Sequence, residues 1–116
     1  MKLEYKWKKR MVRLPYFIDT GEDIDYWLWI YIRNITESVC DICFLKNPKD
    51  DYLIGESNKN MRLIENLLLD DKKKFIAVIG YLVEFIDELF SDLLEYEMYE
   101  AAARMKKFND NFYVPK

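Results

Sequence analysis

Between Lys72 and Phe108 the apolar residues Phe75, Ile79, Leu82, Ile86, Leu89, Leu93 and Tyr96 recur at spacings of four and three. That is the seam of a helix packed lengthwise on another helix. Ile76, Val83 and Phe90 widen the seam on one side, and Val78 with Phe85 widen it on the other. A stripe this broad demands cover from two directions. The opposite face gathers Glu84, Asp87, Glu88 and Glu95, with Asp92 at its edge, while Arg104, Lys106 and Lys107 collect near the far end, where cations suit the negative pole of the helix dipole. Ala101, Ala102 and Ala103 sustain helix until Asn109, Asp110 and Asn111 release it. The pattern predicts one helix over 72–108.

Such a helix would be roughly 50 Å long at a rise of about 1.5 Å per residue. A compact domain of this size is nearer to about 35 Å across. The helix must therefore bend, stop early or project. Gly80 is one place for a bend, fraying beyond Glu97 is another way out, and a projecting end would invite a second copy of the chain.

Upstream, Met61, Ile64, Leu67 and Leu68 mark a shorter helix over 58–70, with Ser57 as its cap and Asp70 and Asp71 at the junction with the next. No Gly or Pro punctuates that junction, and three lysines follow it. A continuous helix from Asn58 to Phe108 is the rival reading. Asn47 to Asp51, around Pro48, reads as a loop that Gly55 and Ser57 bring to an end. Before it, Thr20 followed by Glu22 and Asp23 predicts the start of a helix over 20–46, whose stripe runs through Ile24, Leu28, Tyr31, Ile35, Ile42 and Leu45 with Ser38 interrupting. Tyr26 to Ile32 is rich enough in aromatic and branched residues for a buried strand as well, but the helical period continues past it.

The first residues alternate Leu3, Tyr5 and Trp7 with charged neighbours, a strand period closed off by Pro15. Phe112, Tyr113 and Val114 are strand-like too. The expected fold is therefore mainly α: a single domain over 1–116 in which about three helices, the last of them long, form a small bundle behind a basic aromatic arm or strand at 1–18, with the two chain ends pairing as short strands.

Aromatic residues make up 16% of the chain, and large rings at that density imply a heavily packed core or an adhesive surface. A net charge of -3 argues against a general nucleic-acid binder, but the average conceals polarity. Residues 1–13 carry Lys2, Lys6, Lys8, Lys9, Arg10 and Arg13 against Glu4, whereas residues 84–100 carry seven acids and no base. With no signal peptide and no apolar run of membrane length, the two cysteines suit a reducing cytoplasm, the host's own if a phage encodes the chain.

The chemistry of the chain is limited. It has no histidine, which removes the usual general base and the Ser-His and Cys-His nucleophiles, and it has no glycine-rich phosphate loop. Cys40 and Cys43 have a redox or zinc spacing, yet they fall late in a helix and lack further ligands, so they read as small buried residues. No cofactor, metal or catalytic residue is expected. Glu84, Asp87, Glu88, Asp92 and Glu95 repel one another along one face, a cost of about 0.2–0.5 kcal/mol per neighbouring pair that a recognition surface would justify. Tyr26, Trp27 and Trp29 cannot all point into one core when successive residues turn by about 100°, and such rings are common interface anchors.

The expected function is thus non-enzymatic binding of a partner protein through those residues, in the style of a phage or mobile-element anti-defence inhibitor acting on a nucleic-acid-binding enzyme, with homodimerisation as a further expectation. The alternative is an accessory subunit of a nucleic-acid-handling complex, with Lys2, Lys6, Lys8, Lys9, Arg10 and Arg13 on phosphates and Trp7 stacking on bases.

Overall fold

A computed structural model describes residues 4–7, 10–13, 26–45 and 49–113. Its elements are β1 (Glu4–Trp7), β2 (Arg10–Arg13), α1 (Tyr26–Phe44), α2 (Asp50–Leu67), α3 (Lys72–Glu95) and α4 (Tyr99–Asn111). The bundle is mainly helical, as expected, with four described helices where about three were anticipated.

α1 is the hub. Leu28, Ile32, Ile35, Val39, Cys40, Ile42 and Cys43 are buried, and Thr36 and Ser38 join them, so little of the helix beyond Arg33 and Asn34 meets water on its middle turns. A helix apolar around most of its circumference needs neighbours on several sides. α2 supplies the largest contact, α4 the next, and α3 packs chiefly on α4. The ambiguous segment Tyr26 to Ile32 is helical, because the 3.6-residue period places Leu28, Ile32 and Ile35 on the core side. Thr20, the expected cap, and Ile24 lie outside the described residues.

α2 begins at Asp50, well before the expected start near Asn58. Asp50 and Asp51 occupy its first turn, where carboxylates favour the positive helix pole. Gly55 and Ser57, read from the sequence as the end of a loop, sit inside this helix. Gly55 is on the solvent side, where a missing side chain costs packing nothing, and Ser57 is buried. The helix stops at Leu67, and Asp71 caps α3 by accepting a 3.1 Å hydrogen bond from the Lys74 amide, which separates the two helices despite the run of lysines.

The expected helix over 72–108 is broken. α3 ends at Glu95, and the Met98 amide donates to the Leu93 carbonyl (2.9 Å) while the Glu97 amide donates to the Leu94 carbonyl (3.1 Å). This paired closure is a Schellman turn, with Glu97 in the left-handed region at φ 59. The apolar contact that accompanies such turns is available between Leu93, fully buried, and half-buried Met98. Glycine is the usual occupant of that position, so a glutamate there gives no warning in the sequence.

The fold-back lets α4 fasten the hub. Arg104 donates from Nε to the Ile42 carbonyl (2.8 Å) and from Nη2 to the Cys43 carbonyl (3.2 Å), satisfying two acceptors that α1 leaves open at its C-terminus. The cation expected to serve the end of its own helix thus serves another helix's end. Beyond α4, Asn58 of α2 donates to the Asn111 carbonyl (3.0 Å) and accepts from the Tyr113 amide (2.6 Å), and the Tyr113 hydroxyl donates to Glu65 (2.9 Å). The expected pairing of the chain ends is therefore replaced twice over. β1 pairs antiparallel with β2, Tyr5 opposite Val12 and Trp7 opposite Arg10, while Tyr113 docks on α2 through Asn58 and Phe112 stacks on Phe108 of α4. Val114 lies outside the described residues.

Replacing Glu97 by Gly relieves the left-handed strain and should stabilise the protein by about 0.5–1 kcal/mol, partly offset by the looser unfolded chain. Glu97→Val should destabilise it, and denaturant unfolding of both variants measures the sign. Arg104→Met should cost about 2 kcal/mol by leaving two helix-end carbonyls without a charged donor. Arg104→Lys should recover part of that loss, since an ammonium cannot fork across both oxygens.

Candidate functional surfaces

The carboxylates of α3 face outward. Glu84, Asp87, Glu88 and Glu95 are exposed and Asp92 is half-buried, because the core takes Val78, Leu82, Phe85, Ile86, Leu89 and Leu93 from the other side of the helix. Glu97 and Glu100 carry the acidic row around the turn into α4, where they line an open cleft of about 270 Å³ together with Met98, Tyr99, Ala101 and Arg104. Arg104, the cation of this lining, donates to the carbonyls of α1. Among the described residues the ion pairs are Arg33 with Glu37 (2.8 Å) and Lys107 with Asp51 (3.2 Å), neither of which involves the acids of α3. The row is held open by geometry and not neutralised by described cations.

The aromatic residues form a different surface. Trp27 is 57% exposed on the first turns of α1, whereas Trp29 and Tyr31 lie half-buried against the core. Tyr26 belongs to the helix. Tyr81 of α3 is half-buried, and burial pushes its hydroxyl up to about 12, with Cys40 of α1 adding to the rise. The acids are exposed on α3 and Trp27 is exposed on α1.

Of the residues expected on the basic arm, Lys6 and Trp7 lie on β1, and Arg10 and Arg13 on β2; Lys2, Lys8 and Lys9 lie outside the described residues. Glu4 is registered opposite Arg13 and Lys6 opposite Met11.

Cys40 and Cys43 are free and buried on α1. Burial pushes the Cys43 thiol up from its ordinary 9.0 to about 12, against a smaller opposing pull from Arg104, with Asp50 adding to the rise. Burial also pushes Cys40 up, helped by Cys43, Asp41 and Glu37. Such thiols stay protonated near neutrality and make poor nucleophiles or metal ligands. No helix among the described residues is long and apolar enough to cross a membrane.

One feature of α3 escaped the sequence reading. The flank Val78 and Phe85 is buried as expected, but Ile76 is 68% exposed, Val83 38% and Leu94 43%. The broad stripe is covered from one side and open along the other. The signal was present in the width of the stripe, but sequence alone does not say which flank stays bare.

No protein-family model, curated protein or solved structure matches this chain.

Cys40 and Cys43 should resist a thiol reagent at pH 8 in the folded protein and react fully in denaturant. Because their folded pKa values exceed the unfolded 9.0, stability is fully present below about pH 9 and falls as pH rises from there toward 12. Alkaline unfolding curves check this, and the Cys40→Ala/Cys43→Ala variant should flatten the slope.

Proposed function

We propose that this chain is a non-catalytic interaction module that binds a cationic surface on another protein through the acidic face of α3. The observation that supports it is the run of exposed carboxylates at Glu84, Asp87, Glu88 and Glu95, continued by Glu97 and Glu100, on a helix whose opposite side is locked into the core. Residues four apart on a helix stand about 6 Å apart along its axis. A rigid row of anions with that spacing suits a groove lined by Lys and Arg of the kind that holds nucleic-acid phosphates. Occupying such a groove would block the partner's own ligand, which makes inhibition of a nucleic-acid-binding enzyme, in the manner of a phage or mobile-element protein acting in a host cytoplasm, the specific form of the proposal. Trp27, exposed on α1, is a further anchor for the contact.

The reading rests on charge, so it has a charge test. Immobilised protein should capture a basic partner from a cell lysate in a salt-sensitive way, heparin should compete, and Glu84→Lys/Glu88→Lys/Glu95→Lys should reduce capture at least tenfold while the helical circular dichroism is unchanged. Capture that is insensitive to salt, heparin and these substitutions contradicts the proposal. A gel shift with nucleic acid that disappears on deleting residues 1–13 would move the function to the basic arm instead.

A further inference from the structure

On a helix whose residues turn by about 100° each, Ile76, Gly80, Val83, Asp87, Phe90 and Leu94 fall on one line, spaced four, three, four, three, four. This line is offset by one residue from the core stripe and borders the acidic face, sharing Asp87 with it. Its apolar members Ile76, Val83 and Leu94 are exposed, Phe90 is half-buried, and Gly80 is exposed with no atom within 4 Å of where a side chain would begin. The spacing reads the same in both directions. Turned end for end about its middle, the line sets Ile76 opposite Leu94, Gly80 opposite Phe90, and Val83 opposite Asp87.

We infer that this line is the seam of an antiparallel, two-fold homodimer in which α3 packs on α3 of a second copy. Charge along the helix selects that occupant. Lys72 and Lys73 are exposed at one end of α3, and Glu95 and Glu97 at the other. A parallel pair would stack lysines on lysines and acids on acids, whereas the antiparallel pair sets the lysines of each copy beside the Glu95 and Glu97 end of its partner.

Asp87 and Glu84 approach their counterparts near the two-fold axis and oppose the association. The helix strip, about 36 Å long and about 10 Å wide, covers roughly 350–400 Å² per copy. That is below the roughly 800 Å² per partner of a standard stable interface. The dimer is accordingly concentration-dependent and strengthened by salt near its centre. A two-fold axis perpendicular to the paired helices also turns both acidic faces to the same side, so that they merge into one anionic surface. The seam rests on the acidic-face reading only for its shared helix: mass reports the seam and salt-sensitive capture reports the acidic face, so the failure of each is separately visible.

Sedimentation equilibrium of the full chain over a concentration series tests it. The mass should climb from 14.2 kDa toward twice that value. Val83→Glu should remain monomeric with unchanged helical circular dichroism, and Asp87→Leu, which completes the apolar line, should lower the dissociation constant at least tenfold. In a mixture of Ile76→Cys and Leu94→Cys proteins, a short bis-maleimide, adding one cysteine thiol to each of its two rings, should join position 76 to position 94 far faster than 76 to 76. A mass of 14.2 kDa at every concentration for both the wild type and Asp87→Leu overturns the inference, as does preferential 76-to-76 cross-linking.

Discussion

The structure depends on the burial of α1. Leu28, Ile35, Val39, Cys40 and Ile42 are completely withdrawn from solvent, and they project in too many directions for one neighbour to cover. At about 25 cal/mol per Å² of apolar surface, leaving one side of such a helix open would forfeit several kcal/mol, a large share of an ordinary domain's net stability. The chain has to supply cover from both sides of α1 in sequence. α2 does so by doubling straight back, while α3 and α4 do so by a longer route whose decisive step is the turn at Glu97.

That turn couples the local and the global. It places a glutamate in the left-handed region, at a cost of about 1–2 kcal/mol relative to an ordinary conformation. The return of α4 offsets it: Ala101, Ala102, Met105 and Phe108 are buried, and Arg104 closes the end of α1. The same turn leaves the C-terminal half of α3 as an outer helix, with only its inner side engaged. The acidic row and the bare apolar line both follow from that position. Neither surface would exist if a further helix lay over α3.

Much of this was legible in the sequence, and the exceptions have physical causes. The core stripe of α3, the helical state of Tyr26 to Ile32, the break at Asp71 and the outward acids all rest on periodicity or on a cap, which are local signals. The division of 72–108 was hidden because Glu97 fills a position that glycine normally announces, and helix propensity is high on both sides of it. The start of α2 was misplaced for the opposite reason: Gly55 and Ser57 look like punctuation but sit where a helix tolerates them, one facing water and one facing the core. Arg104 reads as a cation suited to a helix C-terminus, yet which helix it serves depends on packing between residues some sixty positions apart.

The account therefore turns on whether α4 returns to cover α1. Spin labels attached at Lys72→Cys and Asp110→Cys, both exposed positions, report this directly as a distance by electron–electron resonance, since the native cysteines are buried. The folded-back bundle places the pair within the molecule's 42 Å long axis. A distance near 57 Å, about that of an uninterrupted helix between those residues, would contradict it.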